Sequence, residues 1–208
     1  MIIYDVGIMV FYTTQKGIVY QYQGNAETAA KVERSENDVT VSRWMMDIPP
    51  SPTCKQFGVF EGNVDRCQIV TWTAPSTVSI EVSGAPAGTG GDNSVRGNGI
   101  EMYNLSTVTP ETRNTSHYFW SQALGPGLND KPEVNDFFYD QILNTFLEDK
   151  EVLEAQQQFI DTHGKPSEID INADAGALQA GQTLARLIEA EAQLSIPRKN
   201  PVSLTQVS

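Results

Sequence analysis

The chain of 208 residues carries 14 Lys and Arg against 26 Asp and Glu, a formal net charge of −12, and 39% of its residues are hydrophobic. This composition is sufficient for a buried core and excludes a chain that is disordered throughout. The negative charge argues against a binder of the nucleic-acid backbone, which needs clustered basic side chains, and against docking on an anionic membrane surface.

The N-terminal segment is apolar, but it does not have the features of a targeting sequence. Asp5 lies inside the apolar run and no basic residue precedes it, whereas a signal peptide needs a basic start and a small-residue cleavage site. No apolar run reaches the roughly 20 residues that span a bilayer. We therefore expect a cytoplasmic protein with neither nucleic acid nor a membrane as a partner.

Residues 17–120 are typical of a succession of short strands, because segments rich in Val, Ile, Thr and aromatic residues alternate with turn formers. The connections are too short for crossover helices, so most strands should pair antiparallel. A glycine-rich stretch at 84–99 leads into a strand rather than a helix, which favours a long mobile loop over a phosphate-binding loop. The predicted strands are Gly17–Gln23, Asp38–Met46, Asn63–Thr73, Ser76–Ser83, Gly99–Val108 and Arg113–Trp120.

Two helices are predicted after about Lys131. Pro132 suits a first helical turn, and neither Gly nor Pro follows before Ile160, which predicts one helix of about 28 residues. After the breaker at 163–166, a second helix is predicted over Asp174–Gln193. We expect the tail, residues 195–208, to be a surface strap or disordered.

Asp149 is the one residue of the long helix that a purely structural interpretation does not explain. On a helical wheel of about 100° per residue it falls in the middle of the apolar stripe. A carboxylate that faces a core is costly unless an ion pair, hydrogen bonds or a metal compensates it. Two hypotheses stay open: an ion pair with an arginine of the sheet, or a metal-binding or catalytic carboxylate. The candidate arginines are Arg43, Arg66 and Arg113, and the apolar neighbours of Asp149 on the wheel include Phe138, Ile142, Phe146 and Leu153.

The segment around Asp149, residues 146–157, reads FLEDKEVLEAQQ. It resembles the C-terminal signature of Rieske non-haem iron oxygenase large subunits, in the branch of vanillate O-demethylase and toluenesulfonate methyl-monooxygenase. Other segments resemble this family in the same order along the chain, and together they cover about residues 24–193. They are VSRWMMD at 41–47, GNVDR at 62–66, TPET at 109–112, HYFW at 117–120 and ADAGAL at 173–178.

The resemblance implies an α+β helix-grip fold (START/Bet v 1-like), in which an antiparallel sheet curls around a long C-terminal helix. It implies one catalytic-type domain over residues 1–194, without an N-terminal Rieske domain. In this family the long helix supplies the carboxylate of a 2-His-1-carboxylate Fe(II) site, and the matching residue is Asp149. The substrate pocket would lie between the sheet and the stripe of Phe138, Ile142, Phe146 and Leu153, although such residues can also be ordinary core.

The activity implied by the resemblance is that of an oxidoreductase. An iron-dependent oxygenase of this family, a monooxygenase or dioxygenase, hydroxylates an aromatic small molecule or removes its O-methyl group as an O-demethylase. Electrons would come from a [2Fe-2S] Rieske cluster and a separate reductase component, and a homotrimer is possible.

The chain departs from the family pattern in its cysteines and histidines. A Rieske cluster needs two Cys and two His in paired motifs, but Cys54 and Cys67 have no histidine neighbours, so this chain does not bind [2Fe-2S]. We expect both cysteines to be buried reduced thiols.

The two histidine ligands of the iron are also absent. His163 lies fourteen residues after Asp149, about 21 Å along a continuous helix, and His117 belongs to a strand motif that suggests an orienting or core histidine. We therefore expect the chain to be incomplete and inactive on its own. The alternative hypothesis is a non-enzymatic helix-grip module that binds an apolar small molecule without metal.

Overall fold

A computed structural model describes residues 28–57, 60–89, 99–112, 115–126, 128, 132–164 and 175–194. The predicted strand Gly17–Gln23, most of the predicted glycine-rich loop and the tail at 195–208 lie outside these residues. The proposed extent of a single domain, residues 1–194, therefore stays a prediction.

Within the described residues, six strands form one sheet in the order β1-β2-β3-β4-β5-β6, and every neighbouring pair is antiparallel. This meander confirms the prediction of antiparallel pairing, which follows from the short connections between the strands. The strands are β1 Lys31–Arg34, β2 Asp38–Ile48, β3 Val64–Thr73, β4 Thr77–Pro86, β5 Ile100–Pro110 and β6 Ser116–Leu124.

The strands alternate between an inner face, which the helices cover, and an outer face. One cross-strand row of the inner face runs from Val39 through Trp72, Val78 and Ser106 to Trp120. Apolar side chains at alternate positions of β2 to β5 form the core beneath the helices, which is the period expected of half-buried strands. The core strand residues are Val39, Val70, Trp72, Val78, Ile80, Val82, Ile100 and Met102.

The long predicted helix is present as α2, which follows a short helix α1, Pro52–Phe57, and spans Pro132–His163. It ends where Gly164 adopts a φ of 83° and donates its backbone N–H to the Ile160 carbonyl at 2.8 Å, a glycine cap that stops a helix. The N-terminal half of α2 packs on the sheet through the buried residues Val134 and Phe138. Phe138 also meets Phe57 of α1, with ring centroids 5.6 Å apart.

The second predicted helix is α3, Ala175–Leu194, which lies against β2 and β1. Its small residues Ala177 and Ala180 are buried, and Ala180 belongs to the same core as α2. Arg186 ties the helix to the β1–β2 turn, since its Nη2 atom donates to the Glu36 carbonyl at 2.6 Å. The sheet therefore holds both helices on its inner face.

This architecture agrees with the predicted α+β helix-grip class, a curled antiparallel sheet with a long C-terminal helix. Two elements were not predicted from sequence. β1 is a four-residue edge strand with one apolar residue, Val32, and it is defined by its pairing with β2. α1 lies next to a proline-rich segment for which the sequence predicts a turn and not a helix.

None of the helices in the described part of the chain combines the length and the apolar character that a membrane span requires.

Candidate functional site

Asp149 lies on the side of α2 that faces the sheet. It is half-buried, whereas the other acidic residues of α2 are all exposed, as the helical wheel predicts. Phe146, one turn earlier, makes edge contacts with Tyr118 at 5.1 Å and Trp120 at 5.5 Å between ring centroids. These contacts hold α2 against the inner face of β6 and bring Asp149 to the vicinity of Tyr118.

The pKa of Tyr118 reflects its burial first and its neighbours Ser106 and Asp149 second. Burial of the phenol and the negative charge of Asp149 both raise this pKa, the hydrogen bond with Ser106 lowers it, and the net result is a pKa of about 12. Tyr118 is therefore a neutral hydrogen-bond donor at physiological pH.

A row of polar side chains continues from Tyr118 across the inner face. The Tyr118 hydroxyl donates to Ser106 Oγ at 2.9 Å, and Ser106 Oγ donates to Asn104 Oδ1 at 2.8 Å. Asn104 Nδ2 then donates to Gln122 Oε1 at 3.4 Å. We call Tyr118, Ser106, Asn104 and Gln122 the polar row. Its mutual bonds offset the cost of placing polar groups on a core-facing surface.

The four residues predicted to line a pocket occupy different environments. Phe138 is 4% exposed and packs in the core with Phe57, so it is a structural residue of the helix–sheet interface. Ile142, Phe146 and Leu153 are half-buried. Phe146 contacts Tyr118 of the polar row and its neighbour Trp120, and these contacts place it in the candidate site.

The strand register argues against an ion pair between Asp149 and the candidate arginines. Arg43 pairs with Gln68 of β3. In the register of the sheet, Gln68 lies six residues along β3 from the position level with Tyr118, which is a distance of about 20 Å at 3.3 Å per residue. Arg66, 2% exposed, lies further in the same direction. Arg113 is outside the described residues.

Neither histidine reaches Asp149. His117 lies on the outer face, where its Nε2 is 3.7 Å from Glu111 Oε1 and its side chain is 56% exposed. Of the two expected roles, an orienting or a core histidine, the core position is wrong, because the alternation of β6 points His117 away from the helices while Tyr118 points towards them. His163 stacks on Phe159 at the end of α2, with ring centroids 4.5 Å apart.

The described cysteine side chain fits the expected buried reduced thiol. Cys67 is free and buried, its Sγ lies 2.9 Å from Ser83 Oγ, and burial raises the pKa of its thiol. The thiol is therefore protonated and poorly reactive at neutral pH. The side chain of Cys54 lies outside the described part of the structure.

The donor atoms do not form a complete iron site. Within the residues that the structure describes, no group of three or more His, Cys, Asp or Glu side chains is arranged to hold a metal ion. Asp149 could supply one carboxylate ligand of the 2-His-1-carboxylate set, but the chain contains no histidines other than His117 and His163. The imidazole ligands of such a site would have to come from outside these 208 residues.

The sequence predicted the sheet-facing position of Asp149 but not the polar row. A signal was present in the alternation of the strands. Asn104 and Ser106 point to the same face of β5 as the core residue Met102, and Gln122 points to the same face of β6 as Tyr118. Polar residues at core-facing positions of two adjacent strands predict a hydrogen-bonded group or a binding site.

Comparison with known proteins gives matches to one family of oxygenases. A family profile described as the vanillate O-demethylase oxygenase C-terminal domain matches residues 20–190. The chain is 34% identical over 154 residues to a putative toluene-4-sulfonate monooxygenase system iron-sulfur subunit of Comamonas testosteroni, covering 74% of this chain and 44% of that protein. It is 34% identical over 131 residues to a vanillate O-demethylase oxygenase subunit of a Pseudomonas species, covering 62% of this chain and 39% of that protein.

Solved structures show the same fold. The crystal structure of dicamba monooxygenase bound to 3,6-dichlorosalicylic acid superposes with a TM-score of 0.72 at 20% sequence identity, covering 91% of this chain and 54% of that chain. The chain thus spans about half the length of the relatives that it matches.

Proposed function

Because the chain belongs to the family of vanillate O-demethylase oxygenase C-terminal domains, we propose that it is the catalytic-domain portion of a Rieske-type non-haem iron oxygenase. In this proposal the full protein hydroxylates or O-demethylates an aromatic compound. The observation that carries the proposal is Asp149, a half-buried carboxylate on the sheet-facing side of α2, above aromatic and polar residues of the inner face.

The role assigned to Asp149 is that of the carboxylate ligand of Fe(II). Asp149 lies close enough to the buried phenol of Tyr118 for its negative charge to raise the pKa of that phenol, and a negative charge at this position attracts a cation. The set of donors in the chain is incomplete, so these residues alone do not perform the oxygen chemistry. The proposal therefore requires two imidazoles from another polypeptide segment.

The aromatic side chains define what the chain itself does for a substrate. Phe146 of α2 contacts both Tyr118 and Trp120 of β6, and Ile142 and Leu153 extend the apolar surface along α2. Such a surface suits a flat ring, since apolar walls with a few polar groups are typical of small-molecule sites. We assign to these residues the binding and orientation of an aromatic substrate next to Asp149.

The electron supply and the partners follow from the same assignment. The curated relatives carry names of oxygenase and iron-sulfur subunits of multicomponent systems, which supports a reductase partner for the full protein. This chain has no Cys–His pairs for a Rieske cluster, so the [2Fe-2S] cluster would belong to another domain. A homotrimer stays a prediction.

A second candidate function is a metal-free helix-grip module that binds an aromatic small molecule. The incomplete set of metal donors within the described residues favours it. Both functions use the same sheet-and-helix surface, and they differ in whether Asp149 binds iron.

Chemical complementation separates the two functions. Imidazole in solution can stand in for the two missing histidine side chains, so the chain is loaded anaerobically with Fe(II) with and without imidazole, and retained iron is measured after gel filtration. We expect imidazole to increase the iron retained by the wild-type chain and to have no such effect on Asp149→Asn. Glu148→Gln, an exposed neighbour on α2, is the matched control and should behave as wild type.

Equal iron retention by Asp149→Asn and the wild type would remove Asp149 from the metal site. An absence of any imidazole effect in the wild type would favour the metal-free module.

A further inference from the structure

The polar row has a single direction of hydrogen bonding. Tyr118 donates to Ser106, Ser106 donates to Asn104, and Asn104 donates through its amide nitrogen to the amide oxygen of Gln122. The Ser106 hydroxyl proton points at Asn104 Oδ1, which fixes the Asn104 amide with its nitrogen towards Gln122. Each of these residues therefore donates a hydrogen bond to an oxygen of the next residue in the row.

The row ends on an unused donor group. Gln122 accepts through Oε1, so its Nε2 carries two N–H bonds, for which no acceptor is found among the residues that the structure describes. Ser106 at the centre is 1% exposed, whereas Asn104 and Gln122 are half-buried and keep surface that a ligand can reach. Amide donors without a protein acceptor on a surface that a ligand can reach favour a ligand with a hydrogen-bond acceptor.

Aromatic side chains lie beside this donor group. Trp120 stands between Tyr118 and Gln122 on the inner face of β6, and its ring meets Tyr139 and Phe146 of α2 at 5.4 Å and 5.5 Å. Leu124, on the other side of Gln122, packs against the core. The Gln122 amide is thus a polar group on an otherwise apolar strip of β6.

We propose that Gln122 is a specificity-determining residue whose amide N–H groups donate to an oxygen acceptor on a substituent of the aromatic substrate. This inference rests on the proposed function for the location of the substrate, and it names the residue that would bind an oxygen acceptor on the ring. Trp120 provides apolar contact for the ring, and the bonds to Asn104 and Ser106 fix the orientation of the Gln122 amide.

The test compares two ligands of similar size, methyl benzoate and propylbenzene, of which only the first has a carbonyl acceptor. Dissociation constants are measured by equilibrium dialysis with the metal-free wild-type chain, Gln122→Met and Gln122→Glu. We expect the wild type to prefer methyl benzoate by about threefold to tenfold, the range for one neutral hydrogen bond. Gln122→Met should reduce the ratio to about one, and Gln122→Glu, which presents only oxygens when ionised, should invert the preference.

Gln157→Met is the matched control, because Gln157 donates to Asp161 on the far half of α2 and should leave the preference unchanged. A local readout comes from the side-chain amide resonance of Gln122 in ¹⁵N NMR spectra, assigned by its loss in Gln122→Met. Methyl benzoate should shift this resonance and propylbenzene should not. This measurement needs only the wild-type fold.

The inference is overturned if Gln122→Met retains the wild-type preference, if the amide resonance does not respond to methyl benzoate, or if neither ligand binds. These results are independent of iron. A normal acceptor preference together with unaltered iron retention in Asp149→Asn would refute the iron role and leave the assignment of Gln122 in place.

Discussion

The charge of Asp149 and the hydroxyl of Ser106 act on the same phenol in opposite directions. A nearby negative charge disfavours the phenolate of Tyr118, whereas Ser106 stabilises it by hydrogen bonding, and burial dominates both effects. A change in the pKa of Tyr118 when Asp149 is replaced therefore tests whether the carboxylate lies near the phenol, and the test does not need metal.

We expect Asp149→Asn to lower the pKa of Tyr118 from about 12, because the repelling charge is gone, and Ser106→Ala to raise it. The measurement is a ¹³C NMR titration of tyrosine Cζ in the metal-free chain, with the Tyr118 signal assigned by Tyr118→Phe. Glu148→Gln should leave the value unchanged, since Glu148 is exposed on α2. An unchanged pKa in Asp149→Asn would mean that this carboxylate does not lie near Tyr118.

At the scale of single residues, the sequence predicts which side chains of a helix face the sheet, because this follows from the helical period. It does not predict which face of a strand meets the helices, because this depends on how the strands pair. The helical wheel identifies Asp149 as the acid of α2 that turns towards the sheet, and the structure agrees. The outward position of His117 and the bonds of the polar row depend on which face of β6 meets the helices. That orientation is set by the pairing of β5 with β6 and by the docking of Phe146, which are long-range contacts.

At the scale of elements, α2 divides into a packed half and a solvated half. Val134 and Phe138 are its buried residues, while Val152 and Phe159, further along the helix, are 56% and 51% exposed. Helices in water owe most of their stability to packing of an apolar face. The first half therefore anchors the helix to the sheet, and the glycine cap at Gly164 defines its end.

Phe138→Ala should lower the free energy of unfolding by about 3–5 kcal/mol, the usual range for a buried phenylalanine. The side chain is 4% exposed and loses its contacts with Phe57 and Phe137. Phe159→Ala on the exposed half of the same helix should change the free energy by about 0.5 kcal/mol or less. Urea denaturation followed by circular dichroism measures both values, and similar losses in the two variants would contradict this division of α2.

Helix boundaries were predictable to within a few residues and strand boundaries less well. Pro132 and Gly164 mark α2 through their own backbone preferences, so the sequence contains this information locally. β4 instead continues to Pro86 and β6 to Leu124, because their ends are determined by pairing with β3 and β5. The edge strand β1 was missed for the same reason.

At the scale of the whole molecule, one core joins the sheet to both helices. It includes Trp72 and Ile80 of the strands, Phe138 of α2 and Ala180 of α3. The order of strands followed by helices, together with short connections, predicted antiparallel strands and two helices, and the family resemblance implied the helix-grip arrangement. The register that brings Asp149 over β6, and hence the candidate site, required the three-dimensional structure.

A shared core predicts that sheet and helices unfold together. All three tryptophans, Trp44, Trp72 and Trp120, lie in strands, so their fluorescence reports on the sheet, while ellipticity at 222 nm reports mainly on α2 and α3. We expect the two signals to give the same urea midpoint, as in a two-state transition, and Phe138→Ala to lower both midpoints equally. The part of α2 after Leu153 should contribute only a sloping baseline, because it has few tertiary contacts to lose. A loss of ellipticity at lower urea than the change in fluorescence would mean that the helices leave the sheet before it unfolds, and Asp149 would then not be held rigidly over β6.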